Sequence, residues 1–336
     1  MSAFLRLLRV ELSRLLHRRA VLVLVAVCVV LPAVIGVVRV FETAPSSDAE
    51  VAEAQRQLDA ELANGDFRDS VEQCVADPEN SGGYPAGLSE EELEQRCTED
   101  YKPRLEWYLY QPQLDLAEER DEGSGIVITV LLGLALMLVG TTFTGHDWAS
   151  GSVSNQLLFE PRRSRVWAAK AVVVTAAGAL IGAVVLSSYW LGLNAVAASR
   201  DLPAGGALLL DCLQAGWRGA GVVGGAAFAG FALTMLFRST VATLGVLFGI
   251  ALLGGTLLGI FGFEGRWNPA MNVLAVVADG TTYYVEVPCE GHDDMGGGYC
   301  SEERRLSFGQ GAAYLGTTVG AAGLASLLWF RRRDVP

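Results

Sequence analysis

The stretch SGSVSNQLLFEPRRSR, residues 150–165, stands between two apolar runs, LLGLALMLVG (131–140) and AVVVTAAGALIGAVVL (171–186). It carries a glycine, a short run that can form helix, a proline and three arginines. Arginines that follow an apolar run mark the inner side of a membrane, so the reading of this stretch decides the fold. Working outward from it, an apolar run of about 20 residues is long enough to cross the hydrocarbon core as a helix. Such runs occupy 20–40, 125–145, 171–196, 217–237, 241–261 and 311–330. The expected architecture is an all-α polytopic membrane protein with six transmembrane helices.

Charge gives the expected topology. The chain has 336 residues, a mean hydropathy of +0.34 and 18% charged residues, against about a quarter in globular domains. Net charge is −12, and the acid is concentrated: residues 41–124 hold 23 acidic side chains against six basic ones. A nucleic-acid partner needs the opposite sign, so that class is excluded. Basic residues cluster in four places: Arg6 to Arg19, Arg162 to Lys170, Arg238, and the terminal RRRDVP. With six spans, all four fall on one side, which is read as cytoplasmic. The protein is therefore expected in the cell membrane with both termini inside. The acidic block 41–124, the 197–216 loop and the 262–310 loop fall outside. The first apolar run exceeds the roughly 7–15 residues of a signal peptide and reads as an anchor.

Cysteine usage agrees with this orientation. Cys74 and Cys97 lie in the acidic block, and Cys289 and Cys300 lie in the last outer loop. No CxxC pair points to zinc, and thiols outside the cytoplasm oxidise. Bridges Cys74–Cys97 and Cys289–Cys300 are expected, with other pairings among the four left open; Cys28 and Cys212 read as free.

Residues 1–19 read as an amphipathic interfacial helix, with Phe4, Leu5, Leu8, Leu12, Leu15 and Leu16 on one face and Arg6, Arg9, Ser13 and His17 on the other. Pro32 is expected to kink the first span. In the outer block, 48–73 and 89–120 read as helical around the loop PENSGGYPAG, forming a small helical extracytoplasmic domain. Gly221 with Gly225, Gly245 with Gly249, and Gly255 with Gly259 have the spacing that lets helices approach closely in lipid. Within 262–310, the apolar patch 271–278 is too short to cross and reads as a re-entrant or interfacial segment on the outer side, and TTYYVEV as a short extended piece.

Catalytic chemistry is sparse. Of three histidines, His292 sits in GHDD without the spacing of a closed metal site, and His146-Asp147 has no nucleophile beside it. The only lysines, Lys102 and Lys170, do not follow a glycine, so no GxxxxGK[ST] phosphate loop exists. The chain is expected to be no enzyme and to hold no catalytic, metal or cofactor residue. Energy for any work comes from a partner.

The opening stretch then reads as a helix capped by Asp147 or Ser150, run to Phe159 and stopped by Pro161. Val153, Leu157 and Leu158 share a face suited to a partner's groove, while Arg162, Arg163 and Arg165 mark the inner interface. The order Asp147, Ser150-Gly151-Ser152, Leu157-Leu158, Pro161-Arg162-Arg163-Ser164-Arg165, Lys170 resembles the span 2–3 segment of ABC-2 type transporter permeases. The opening VELSRLLHRR and the closing FRRRDV are similar to that family's ends. The family usually has Glu and Thr where this chain has Asp147 and Ser152, and the 41–124 insert lies outside the resemblance. The resemblance implies an exporter half: two permease subunits, homo- or heterodimeric, each meeting a cytoplasmic ABC ATPase subunit, two copies in all, with ATP and Mg bound there. Residues 150–159, with Asp147, Pro161, Arg162 and Arg165, would couple to that ATPase. The competing reading is a membrane binding or sensory protein that recognises a ligand through its acidic outer domain.

Overall fold

The computed structural model describes residues 3–77, 88–109, 113–260, 265–288 and 299–332. Among these the chain is helical apart from one antiparallel ribbon. The helices are α1 (Ala3–Leu16), α2 (Arg19–Glu42), α3 (Asp48–Asn64), α4 (Asp66–Ala76), α5 (Glu90–Tyr101), α6 (Leu116–Asp121), α7 (Ser124–Ala149), α8 (Ser152–Phe159), α9 (Arg163–Ser199), α10 (Gly206–Phe237), α11 (Thr240–Ile260), α12 (Pro269–Val277) and α13 (Phe308–Arg332). The ribbon pairs β1 (Thr281–Pro288) with β2 (Tyr299–Leu306), in register Thr281 to Leu306. The architecture is compatible with the all-α expectation; the extended TTYYVEV piece finds a partner strand, and Tyr283 and Leu306 pack with Ala275 of α12.

Among the described residues, five helical stretches are long and apolar enough to cross a membrane: α2, the α6–α7 stretch, α9, α10 and α13. This make-up fits an α-helical membrane protein. The remaining expected span coincides with α11, whose fully described portion Thr240–Gly254 is apolar. Pro32 lies inside α2, which continues on both sides of it.

The chain divides into two compact units, Met1–Val38 with Asp115–Pro336, and Arg39–Leu114. The second ends earlier than the expected 124. Leu116 and Glu119 of α6 are buried with the first unit, where Glu119 accepts from the Ser124 amide at 3.0 Å and the Cys212 thiol donates to the Leu116 carbonyl at 3.6 Å.

In the first unit, α10 is central, flanked by α7, α9 and α13. Lipid supplies no hydrophobic drive between helices, so close van der Waals fit must hold them. Gly140 of α7 and Gly230 of α10 provide it: a Cβ would stand 2.2 Å from the Ala227 carbonyl at the first and 2.2 Å from the Met137 carbonyl at the second. The glycines expected to pack helices are different ones. At Gly221, Gly225, Gly245 and Gly249 a Cβ would meet nothing within 4 Å, because these positions face away from the helix contacts. The surroundings of Gly255 and Gly259 lie outside what is described.

In the second unit, α3 and α5 each begin with a capping box, Ser47 with Glu50 and Ser89 with Glu92. Cys74 of α4 and Cys97 of α5 form the expected disulfide, with Cα atoms 6.0 Å apart. Cys28 and Cys212 are free and buried. Cys300 is disulfide-bonded; Cys289 lies outside the described residues.

Candidate functional site

The four basic segments meet at one end of the bundle. Arg14 of α1 lies 3.6 Å from Asp147. Arg163 donates to the Phe330 carbonyl at 3.3 Å. Arg238 stacks on the Trp148 ring at 4.8 Å, and Trp148 meets Phe330 edge-on at 6.1 Å. The segment 146–170 runs through this end.

Gly151 forms the corner between α7 and α8, with φ 67° and ψ 10°. Only glycine adopts this left-handed geometry without a steric penalty. The α8 helix starts there with no side-chain cap, which corrects the expected cap by Asp147 or Ser150. Ser150 instead ends α7 and donates its hydroxyl to the His146 carbonyl at 2.7 Å. Asp147 belongs to the last turn of α7 and points into the protein, 1% exposed. His146 is exposed, so the two neighbours do not act as a pair.

Asp147 is part of a buried charge cluster. Lys170 of α9, fully buried, bridges Glu11 Oε2 at 2.8 Å and Asp147 Oδ2 at 2.5 Å. Arg18 pairs with the other Asp147 oxygen and donates to the Phe143 carbonyl. The Phe143 ring lies under both cations, 4.7 Å from the Arg18 guanidinium and 5.1 Å from Lys170 Nζ, a favourable arrangement for desolvated charge. Two carboxylates and two cations thus neutralise one another in the interior. Buried charges persist only when paired and hydrogen-bonded in this way. Arg14 at the rim adds a third cation, 3.5 Å from Glu11.

The cluster also grips α8. Arg14 donates to the Ser152 hydroxyl and, at 3.4 Å, to Gln156 Oε1, while Gln156 Nε2 donates to Glu11. Ser152 and Gln156 are four residues apart and share one face of α8. Val153 is also turned inward, 1% exposed. The expected exposed face Val153, Leu157, Leu158 is therefore corrected. Leu157 is half-buried, and the apolar side chains left outside are Leu158 and Phe159, 81% and 90% exposed. Pro161 follows the helix end, Arg162 is exposed at the start of α9, and Arg165 lies 3.8 Å from Glu160.

On α1 the inward face is Glu11 and Leu15, while Leu5, Leu12 and Leu16 stay exposed. The six apolar residues expected on one face are split because Glu11 must reach Lys170. Glu11, Arg14, Arg18 and Gln156 escaped the sequence reading. Their signal was available in Glu11, the lone acid in a basic helix, and in Lys170, embedded in AAKAVVV.

Among the described residues, no group of three or more His, Cys, Asp or Glu is placed to hold a metal; His292 lies outside them. The arrangement joins α1, α7, α8 and α9 through charge-assisted hydrogen bonds, the stronger kind. It suits the transmission of displacement and leaves Leu158 and Phe159 outside for contact. No known family, curated protein or solved structure matches the chain.

Proposed function

We propose that the chain is the membrane-spanning subunit of an ATP-driven exporter of the ABC-2 permease kind, with α8 as its coupling helix. The observation that carries this reading is the two-sided character of α8. One face is tied through Ser152 and Gln156 to the charge cluster, with Val153 buried beside them in sequence. The other end offers Leu158 and Phe159 to water. An exposed apolar tip on a rigidly held short helix suits a groove in a partner protein. The partner would be a cytoplasmic ATPase subunit carrying the ATP and Mg, in two copies serving two permease subunits in the cell membrane.

In this mechanism the ATPase changes shape on binding and hydrolysing ATP, and α8 moves with it. Glu11, Asp147 and Lys170 pass the displacement to α1, α7 and α9 rather than letting α8 hinge at Gly151. Coupling requires the helix to bind the two ATPase states with different affinity.

The test is co-purification from native membranes. Leu158→Asp with Phe159→Asp alters neither the cluster nor the spans. We expect the wild-type chain to bring an ATPase with it and the double variant to lose it while staying in the membrane. An ATPase that remains bound, or none recovered with wild type, defeats the proposal.

A further inference from the structure

Helices α9, α10, α12 and α13 enclose an apolar groove of about 1020 Å³. Gly221 and Gly225 line it from α10, and Gly316 and Gly320 from α13. A Cβ on any of the four would meet nothing within 4 Å, so the glycines leave room here instead of closing a helix contact. The lining runs from Trp217 to Phe228 on α10 and from Phe308 to Gly320 on α13. At 1.5 Å per residue these paths are about 17 and 18 Å long. That is close to one leaflet, about half of a 30 Å hydrocarbon core.

Polar groups along the groove already have partners. The Thr175 hydroxyl donates to the Ala171 carbonyl at 2.7 Å, and Trp217 Nε1 to the Ser187 hydroxyl at 3.2 Å. Among the described residues, Arg218 is the one charged side chain lining the groove. It sits near α12, where its Nε donates to the Val277 carbonyl at 3.1 Å and one terminal nitrogen lies 3.3 Å from Asp279. Neither of these contacts uses its second terminal nitrogen.

We infer that the groove holds one bilayer phospholipid, with an acyl chain along the glycine walls and an anionic phosphodiester at Arg218. Three of the four walls, α9, α10 and α13, belong to helices of membrane-crossing length, so hydrocarbon is the medium beside them. The groove is as long as one leaflet, and its cation stands at one end, as the head of a lipid requires. The site is independent of the exporter reading, since it needs a bilayer but no motor.

The experiment uses the full-length protein stripped of endogenous lipid and re-supplied with phosphatidylglycerol or phosphatidylcholine. Native mass spectrometry counts the lipids retained. We expect one phosphatidylglycerol per chain, with phosphatidylcholine held about fivefold more weakly, because its choline ammonium offsets the charge of the same phosphodiester beside Arg218. Gly225→Leu and Gly316→Leu, which fill the groove from opposite walls, abolish retention. Arg218→Gln keeps a lipid but removes the preference for the anionic head. A phosphatidylglycerol with a photoreactive acyl chain should label 217–228 and 308–320 of the wild type, a measurement that does not depend on any variant folding. Retention unchanged in both glycine variants, no preference between the lipids, or labelling spread evenly over exposed α2 would each overturn the inference. So would variants that only lose self-association, which would mean that a second copy covers the groove.

Discussion

In the bundle, Glu11, Asp147 and Lys170 are buried, while Val23, Leu180, Val241 and Phe248 are exposed. In the Arg39–Leu114 unit the order is reversed: among the described residues the buried ones include Ala54, Leu58, Cys74, Cys97 and Leu114, and most carboxylates are outside. The solvents each unit is built for account for the difference. Lipid leaves helix association to close packing and polar contacts, and the bundle answers with Gly140, Gly230 and the Lys170 cluster. Water rewards apolar burial, but a unit this small has little to bury. It answers with a disulfide and two capping boxes. The same chain thus uses charge as an internal fastener in one region and as a solvated skin in the other.

The largest expected effect comes from breaking the internal fastener. Lys170→Met leaves Glu11 and Asp147 buried without the ammonium between them, and removal of one member of a buried pair costs about 3–5 kcal/mol. Thermal unfolding in detergent should show it. Adding Glu11→Leu removes the second uncompensated charge and leaves Asp147 with Arg18, so the double variant should recover part of the loss. No recovery would mean that the cluster is not coupled as the distances say.

Next in size is the staple of the outer unit. Cys74→Ser with Cys97→Ser opens a loop of sequence separation 23 and should cost about 3 kcal/mol. Hydrogen exchange should lose protection in α4 and α5 and keep it in α7, α9 and α10. A loss that spreads into the bundle would show that the two units do not stand separately.

The sequence displayed much of this and hid the rest for identifiable reasons. Apolar runs and basic clusters located α2, α7, α9, α10 and α13, since hydropathy is a sum over a window and survives local error. Cys74 and Cys97 were legible because both fall in one short acidic block. The strand β2 was hidden because YCSEERRL has no alternating apolar pattern; it is held by pairing with β1. Glycine spacing pointed to Gly221 and Gly225, whereas Gly140 and Gly230 make the contacts, because spacing says nothing about which way a helix is turned. The same blindness to rotation put Val153 outside and left Glu11 unread. Cluster membership depends on α1 folding back over α7 and α9, a long-range contact that no local pattern carries.

The smallest effect tests the solvated skin. Ser47 donates to Glu50 from both its amide, at 2.7 Å, and its hydroxyl, at 2.8 Å. These bonds hold the Glu50 carboxyl below the usual glutamate range, backbone first and side chain second. At Glu92 the Ser89 hydroxyl contributes most, followed by the Ser89 amide. A carboxyl whose value is lowered by folding stabilises the fold at pH above the unfolded glutamate range, and the contribution disappears as pH falls through the lower folded value. Amide protection at the starts of α3 and α5 should therefore stay level from neutral pH to the ordinary carboxylate range and decline below it. Ser47→Ala removes the acceptor of the Glu50 amide, a cap whose loss costs about 1 kcal/mol. It also removes the smaller of the two bonds that hold the Glu50 carboxyl down, the Ser47 amide being kept. It should lower protection in α3 at every pH and make the acid decline there shallower, while α5, which keeps Ser89, retains the full decline and serves as the internal control. An identical acid profile in both helices would assign the decline to general charging of the acidic surface and not to the caps.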